Sequence, residues 1–248
     1  EEIQDHYQNG LAGKGYCEVV EPVVLPTCGL DSTAGMVSYW KGESDAVDSF
    51  DGNDGIINGA TFTTGKVGQA FSFDGVDDYI RVIDSASLDI TNAITVEAWV
   101  NALTNKDYAR IVDRFHQGNK KGYEIEISHD NKFKFIFWDS SGVRRDCEST
   151  TIAENTGWHH IVGVFDGTSA SIYIDGAKEN TISAPYPIQG WSGKFLMGNN
   201  NEGGAYFNGT IDEIAIYNRA LTLEEIQDHY QNGLAGKGYC EVVEPVVL

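Results

Sequence analysis

The sequence of 248 residues predicts an all-β fold, a two-sheet antiparallel sandwich with one short C-terminal helix. Its composition suits a β domain with many tight turns, because it holds 28 Gly, only 5 Pro and 11% aromatic residues. Alternating apolar and polar runs recur at intervals of roughly 8–14 residues, as in sandwich domains. A single segment near the C-terminus carries a helical pattern instead.

The first half of the chain predicts strands from its alternation. Residues 36–42 form a first strand, and residues 68–75 and 77–84 form a hairpin around a short turn. Residues 93–102 place one apolar face on a single strand, made of Ile94, Val96, Ala98 and Val100.

The second half continues in the same way. Residues 121–130 and 132–142 are two strands separated by a polar turn, and residues 158–176 are two strands around Asp-Gly-Thr-Ser. Residues 209–218 are the last strand. Three tryptophans in strong strand patterns are expected in the core: Trp40, Trp99 and Trp158.

The helix is predicted from its capping residues. Thr222 is the N-cap and Glu225 follows three residues later, which makes a capping box. Asn232 and Gly233 mark its end. The spacing predicts one apolar face, formed by Leu223, Ile226 and Tyr230.

An identical stretch occurs at both ends of the sequence, since Glu1–Leu25 and Glu224–Leu248 match at every position. Their offset far exceeds the roughly 20–50 residues of solenoid repeats, so the pattern predicts a tandem array of whole domains. Residues 1–28 are then the helix end and linker of a preceding repeat, and residues 29–239 are one domain. Residues 240–248 begin the next linker, and neighbouring copies of the repeat are the expected partners.

The net negative charge of the chain limits which macromolecules are expected to bind it. The formal net charge of −20 predicts a surface that repels nucleic acid and anionic membranes. No apolar run approaches the roughly 18 residues of a membrane-spanning helix, so membrane insertion is not expected.

The four cysteines suggest an oxidising compartment. Cys17 and Cys28 bracket an acidic, β-branched linker, and a bridge between them would close a short loop. Cys240 is the second copy of Cys17. Cys147 is left over, which predicts a buried thiol or a bridge to another chain. Zinc-type Cys and His spacing does not occur in the sequence.

Several ordered motifs carry a family resemblance. Residues 37–100, 158–176 and 207–230 resemble LamG-like jelly-roll domains of the concanavalin A-like lectin/glucanase superfamily. The match covers about residues 30–233. It implies a jelly roll of two curved antiparallel sheets in a secreted or surface-attached protein of bacterial type, and so an extracellular or cell-surface location. It does not fix a function, because fold and function separate readily.

Calcium is the cofactor that this resemblance implies. Domains of the superfamily often hold a calcium ion that ties the loop after the first strand to the last strand. Carried over to this sequence, the ligands are Glu43 and Asp48 in the acidic loop and Asp212 on the last strand, with Asp74 as a weaker fourth. The alternative is that these carboxylates cap turns of their own backbone.

A catalytic pair is considered and disfavoured. Glu124 and Glu126 lie two apart on one strand, and related retaining β-glucanases carry acidic residues there in an E-x-D-x-x-E pattern. Here Glu126 replaces the Asp and His129 replaces the final Glu, so a solvent-facing polar row is the preferred interpretation. His159 and His160 are expected to be structural, one pointing inward and one outward.

Carbohydrate binding would need exposed aromatic platforms with polar neighbours. The aromatic candidates are Tyr123, Trp138, Trp191, Tyr206 and Phe207. Their polar neighbours in the pattern are Arg114, His116 and Asn200. Most aromatic residues of a sandwich lie in its core, so the alternative for each is packing.

The sequence thus favours a non-enzymatic, calcium-stabilised tandem-repeat module of an extracellular fibre, filament or adhesin. Near-identical repeats present the same interface again and again, which an array requires. The alternative is a carbohydrate-binding module of a larger secreted enzyme, with possible binding of polysaccharide. A glycoside hydrolase or lyase is the third and least favoured interpretation.

Overall fold

Two antiparallel sheets form a sandwich in the computed structural model, which describes residues 33–104, 107–200 and 203–239. The predicted all-β class, the jelly-roll sandwich and the short C-terminal helix are confirmed. The strands are β1 (Met36–Trp40), β2 (Gly55–Asn58), β3 (Thr61–Thr64), β4 (Gln69–Asp74), β5 (Tyr79–Val82), β6 (Ile94–Thr104), β7 (Ala109–His116), β8 (Lys121–Ile127), β9 (Lys132–Trp138), β10 (Arg144–Ile152), β11 (His159–Phe165), β12 (Ser169–Ile174), β13 (Ala177–Ser183), β14 (Phe195–Met197) and β15 (Asn208–Tyr217).

The eight-stranded sheet is organised around β15 and has the order β13-β12-β11-β6-β15-β4-β3. β6 pairs with one side of β15, while β4 and then β1 pair with successive halves of its other side. The register of β15 shifts between Asp212 and Ala215, and Glu213 there has a φ of 51°. This bulge lies where β4 ends and β1 begins, and it re-aims two acidic side chains.

The seven-stranded sheet has the order β10-β9-β8-β7-β14-β5-β2. Its central strands β7, β8 and β9 are long and pair residue by residue. Because strand side chains alternate between faces, this register decides which side chains meet on the outside of the sandwich.

The inner faces of both sheets meet in one hydrophobic core. The predicted apolar face of β6 is part of it, as are aromatic side chains of β9 such as Phe133 and Phe135. Trp40 is fully buried there and stacks on Phe195 at 5.2 Å. Trp99 is also buried, but on the opposite side of its sheet, in a second cluster against which the half-buried Trp158 packs.

The helix α1 (Leu223–Leu234) covers the outer face of the eight-stranded sheet. Its capping box is confirmed, because Thr222 Oγ1 accepts from the Glu225 backbone N–H at 3.2 Å and Glu225 Oε2 accepts from the Thr222 N–H at 2.8 Å. The predicted apolar face is wrong at Leu223, which is 48% exposed. The buried side of the helix instead holds Ile226, His229, Asn232 and Gly233.

Part of the predicted domain organisation lies outside the described residues. This applies to the ends at residues 1–28 and 240–248, and with them to Cys17, Cys28 and Cys240. Within the described part of the chain, no helix is long and apolar enough to cross a membrane.

Candidate functional site

The outer face of the seven-stranded sheet is polar at its centre. Ile125 of β8 points into the core, so Glu124 and Glu126 on either side of it point outward. The strand register continues this outward-pointing set across the sheet in two rows that hold ten side chains, eight of them polar, and we call this set the polar face. One row holds Arg81, Leu196, Asp113, Glu124, Ile136 and Asp146, and the other holds Arg110, Glu126, Lys134 and Glu148.

One buried guanidinium holds the middle of the polar face together. Arg110 Nε lies 2.6 Å from Glu124 Oε2 and 3.7 Å from Asp113 Oδ2, and its Nη1 donates to Glu126 Oε2. The three carboxylates are at most 1% exposed. One buried cation therefore faces three buried carboxylates, and the partly exposed Arg144 adds a contact of 3.7 Å to Glu126 Oε1.

This imbalance shows in the proton affinities of the acids. Burial raises the pKa of Glu124 well above its usual value, and the charges of Asp113 and Glu126 add to the rise while Arg110 opposes it. Burial likewise raises the pKa of Glu126 against the opposing charges of Arg110, Arg144 and Lys134. A protonated carboxyl group in this cluster can both donate and accept a hydrogen bond.

The expectation of a solvent-facing row at Glu124 and Glu126 is wrong, because both are 0% exposed. The sequence could not show that Arg110 of the next strand lies beside both. His129, which stands at the third position of the glucanase-like pattern, does not join them. Its exposed imidazole lies 3.0 Å from Asp107 instead.

Aromatic side chains lie at both ends of β7. At its C-terminal end Phe115 stacks on Trp138 at 6.4 Å, and the half-buried Trp191 meets the edge of His116 at 4.9 Å. At its N-terminal end the Arg110 N–H donates to the carbonyl of Ala205, the residue before the half-buried Tyr206. Phe115 and Trp138 thus lie on the polar side of the sheet, whereas Trp191 and Tyr206 lie near the two ends of β7.

The predicted sugar contacts divide by exposure. Tyr123 and Phe207 are 2% and 1% exposed, and Tyr123 Oη donates to the Leu88 carbonyl at 3.1 Å, so neither offers a platform. Trp138 is 8% exposed. Trp191 and Tyr206 remain half-buried and accessible.

The three polar neighbours predicted for these aromatics also separate. Arg114 is buried and pairs with Asp84 and Asp89. His116 lies beside Trp191, and Asn200 follows directly on buried Asn199, whose Oδ1 accepts from the Asn200 N–H at 2.8 Å.

Asp48, one of the predicted calcium ligands, caps its own loop. Its two carboxylate oxygens accept four backbone N–H groups at 2.8–3.2 Å, from Tyr39, Phe50, Asp51 and Asn53. This matches the alternative reading of Asp48 as a turn cap, and these bonds leave little acceptor capacity for a metal ion.

Glu43 and Asp212 do lie at one place, on either side of the turn between β3 and β4. Asp212 Oδ2 accepts from the N–H groups of Lys66 and Val67, and Glu43 accepts from that of Gln69. Burial, reinforced by the charge of Glu43, raises the pKa of Asp212 to about 7. The sequence analysis missed Glu213, whose pKa is raised by burial to about 8.

Asp74 belongs to a different place. It lies with Asp77 and Asp78, and the three offer ligand atoms within 4.8 Å of one another. Among the described residues this is the one such group of His, Cys, Asp or Glu ligand atoms, so the four predicted calcium ligands do not form a single tight set. The Asp74 group also serves its own turn, since Asp74 Oδ1 accepts from the Val76 N–H.

Two residues with alternative readings prove to be buried. Cys147 is a free thiol at 0% exposure that donates to the Ala170 carbonyl, and burial raises its pKa to about 11, so the buried-thiol interpretation applies. His160 is fully buried beneath α1, while His159 on the other side pairs with Asp175 at 2.7 Å. Each imidazole thus has a carboxylate partner within the fold, His159 with Asp175 and His160 with Glu97.

A comparison with protein families decides the affiliation of the chain. Residues 74–227 match the family model Laminin_G_3, described as the concanavalin A-like lectin/glucanases superfamily. The chain belongs to this superfamily. The resemblance seen in the sequence is thereby confirmed, and the described sandwich supplies the fold that it implied.

Solved structures with this superfamily fold include binding domains. Domain 4 of AbnA, a GH43 extracellular arabinanase from Geobacillus stearothermophilus in complex with arabinotriose, has a TM-score of 0.65 at 21% identity, covering 78% of this chain and 97% of that domain. The binding domain of Paraclostridial Mosquitocidal Protein 1 has a TM-score of 0.67 at 17% identity, covering 80% and 52%. The binding domain of botulinum neurotoxin DC in complex with SialylT has a TM-score of 0.63 at 13% identity, covering 82% and 52%.

These identities support likeness of fold alone. The chain spans about half the length of the toxin binding domains that it matches. A comparison with curated protein sequences gave no match.

Proposed function

We propose that the domain is a carbohydrate-binding module without catalytic activity, and that its ligand lies along the polar face between Trp191 and Tyr206. The observation that carries this proposal is the arrangement along β7. A cluster of buried, ion-paired carboxylates lies on the middle of β7 and β8, and half-buried aromatic residues lie near both ends of β7. The two ends are separated by about 20 Å, at roughly 3.3 Å per residue, which suits an extended chain of sugars.

The chemistry of the polar face suits polyhydroxylated ligands. Sugar hydroxyl groups need fixed donors and acceptors, and the Arg110 ion pairs hold the acids in place. Within the described residues Glu126 Oε1 and the Trp138 indole N–H are buried and have no hydrogen-bond partner, so a ligand hydroxyl group would pair with them only after the side chains that cover them move aside. Aromatic rings supply the apolar face on which a sugar ring can pack.

Two of the similarly folded domains support this class of ligand. The arabinanase domain is in complex with arabinotriose, and the toxin domain is in complex with SialylT. Since both are binding domains or ancillary domains of larger proteins, we extend the proposal to a module of a larger secreted or cell-surface protein.

Glycan binding is tested by titration calorimetry against soluble arabinan, β-glucan, galactan, alginate and sialylated oligosaccharides. We expect binding to at least one, with reducing ends unchanged after prolonged incubation. Trp191→Ala should weaken that binding about tenfold or more, since a loss of about 1.4 kcal/mol of stacking is a factor of ten. Phe50→Ala, which removes a ring that is 50% exposed on another loop, is the matched control.

Two outcomes would contradict the proposal. Absence of binding at millimolar concentrations across a broad glycan array would remove carbohydrate recognition. Binding with release of new reducing ends would indicate an enzyme instead.

Calcium stabilisation is retained as a second proposal, centred on the turn where Glu43 and Asp212 lie, although their ligand atoms and those of Glu213 do not all lie within 4.8 Å of one another. The raised pKa values of Asp212 and Glu213 reflect burial of neighbouring negative charges, which a hard divalent cation at that place would relieve. Asp48 is left out because four backbone N–H groups occupy its oxygens, whereas Asp212 accepts from three and shows a raised pKa.

We expect millimolar calcium to raise the melting temperature by several degrees and EDTA to reverse the change. The effect should be larger at pH 8 than at pH 6, since Asp212 with a pKa of about 7 must lose its proton to act as a ligand. Differential scanning calorimetry of Asp212→Asn, which should not respond, checks the location. Loss of the response in Asp77→Asn but not in Asp212→Asn would place calcium at the exposed Asp74 group instead.

Assembly of the domain into a tandem array is a candidate function beside carbohydrate binding. The identity of Glu1–Leu25 and Glu224–Leu248 favours it, because repeated domains with the same interface can assemble into a fibre or adhesin. Carbohydrate binding on the polar face and an array built through the ends of the domain use different surfaces. The two functions are therefore compatible.

A further inference from the structure

The outer face of the eight-stranded sheet holds a docking groove for the C-terminal segment of the domain. We define this groove by Tyr39, Glu97, Trp99, His160, Glu213 and Tyr217, all of which are at most 3% exposed. The segment that fills it runs from α1 to Tyr239, and its residues 224–239 are called the resident segment.

A buried ion pair joins the resident segment to the groove. His229 Nδ1 lies 3.0 Å from Glu97 Oε1, and His160 Nε2 lies 3.1 Å from Glu97 Oε2. Burial alone would raise the pKa of Glu97, but the charge of His229 and the hydrogen bonds of both histidines lower it to about 2. One residue of the segment thus satisfies a carboxylate that would otherwise be costly to bury.

Aromatic rings continue the contact on either side. Tyr230 stacks on Trp99 at 5.6 Å, and Tyr239 stacks on Tyr39 at 5.6 Å and on His229 at 4.9 Å. The Tyr239 N–H donates to Tyr39 Oη at 3.3 Å.

Gly233 of α1 packs directly against the Trp99 ring of the sheet. A Cβ added there would lie 2.4 Å from the indole ring of Trp99, so any side chain at this position forces the helix off the sheet. The contact therefore depends on a specific set of residues, of which the segment supplies Ile226, His229, Tyr230, Gly233 and Tyr239.

The same set occurs a second time in the chain. Residues 1–16 repeat residues 224–239 letter for letter, so the counterparts are Ile3, His6, Tyr7, Gly10 and Tyr16. Each chain thus has two segments with the chemistry of the groove but one groove among its described residues. The resident segment follows β15 after residues 218–223 alone, and this short connection gives it the higher effective concentration at its own groove.

We propose that residues 1–16 dock in the groove of a second copy of this domain, in the place that residues 224–239 occupy in their own. The partner is a copy of the same chain, because the segment carries the complementary His, Gly and Tyr residues at the same spacing. Exchange between copies replaces each contact by an identical one, so it is close to neutral in free energy and is governed by concentration. The inference deepens the array proposal and is independent of carbohydrate binding.

The test blocks each segment separately in the full chain, in reducing buffer so that disulfides play no part. Gly233→Val prevents docking of the resident segment, Gly10→Val is the matched change in the first copy, and the double variant has both. Gly233→Ala and Gly10→Ala are a milder set should the valine variants fail to fold. Light scattering after size exclusion and thermal unfolding are measured over a hundredfold range of concentration.

We expect Gly10→Val to behave as the wild type. Gly233→Val should form several-fold more dimer or oligomer, with a melting temperature that rises with concentration. The double variant should lose both the oligomers and the concentration dependence and melt several degrees lower. Identical behaviour of Gly233→Val and the double variant would overturn the proposal.

Two further outcomes are informative. A Gly233→Val variant that stays monomeric but still melts above the double variant would show docking within one chain and would overturn the role of a second copy. The other outcome is that electron micrographs of a multi-repeat protein show regularly spaced rods while the single and double variants behave identically. That result would support the array but contradict docking of residues 1–16 as its contact.

Discussion

Replacing Glu97 with glutamine is expected to lower the free energy of unfolding by about 3–5 kcal/mol, the usual cost of breaking a buried ion pair. In a domain of this size that corresponds to a fall in melting temperature of roughly 6–20 °C. Glu97 is fully buried and faces His160 and His229, so the change leaves two buried imidazoles without their carboxylate. Calorimetric unfolding at pH 6 measures the effect, with the exposed Glu224→Gln on α1, the helix that carries His229, as control.

The same cluster sets a pH dependence. The folded-state pKa of Glu97 is lowered to about 2, so its contribution is present above the unfolded value of about 4.5 and is lost as the pH falls towards 2. Burial opposes the charged form of His229, but Glu97 outweighs it and raises the pKa of His229, so that contribution is present below about 6.5 and is lost as the pH rises through the folded value. The packing of α1 on the sheet should therefore be most stable between about pH 4.5 and pH 6.5. Glu97→Gln should remove this pH dependence. An unchanged pH profile in the variant would refute the account.

Replacing Arg110 with methionine is expected to destabilise the polar face by a similar amount at pH 8. Methionine fills much of the same volume but leaves Asp113, Glu124 and Glu126 buried without their shared cation. Arg144→Met is the comparison and should cost less, since its side chain is 29% exposed, its ion pair with Asp146 lies at the surface, and its contact with Glu126 Oε1 is longer at 3.7 Å.

The effect of Arg110→Met should shrink at acid pH. When the pKa of a carboxyl group is higher in the folded than in the unfolded state, the group destabilises the fold more and more as the pH rises between the two values. The pKa values of Glu124 and Glu126 are raised even with Arg110 present, and loss of Arg110 removes a charge that opposes this rise. Urea unfolding at pH 5 and pH 8 should show the larger loss at pH 8. Equal losses at both values would mean that the methionine side chain disturbs packing and that charge is not the cause.

Much of the fold could be predicted from the sequence because it depends on local patterns. The alternation along β6 placed Ile94, Val96, Ala98 and Val100 in the core, and the spacing of Thr222 and Glu225 located the start of α1. Strand periodicity and capping act over a few residues, so they can be read from neighbouring letters alone.

The candidate site was predicted only in part because it is assembled across strands. Glu124 and Glu126 were expected to face solvent, and Tyr123 was expected to be exposed, yet all three are buried. Their surroundings depend on Arg110, which is distant in sequence and meets them only through the register of β7 and β8. Glu213 was missed because its buried position on the outer face of the eight-stranded sheet depends on a bulge that alternation does not reveal.

The sequence by itself determined the all-β class, the superfamily motifs, the position of the helix and the duplication of residues 1–25 at 224–248. Only the tertiary structure decided that His229 and Gly233 of the duplicated segment fit Glu97 and Trp99, and that one guanidinium serves three acids on the opposite sheet. The physical reason is that burial and charge pairing depend on which strands are neighbours. That order is set by long-range hydrogen bonding and core packing, whereas strand and helix propensity is set by residues adjacent in the chain.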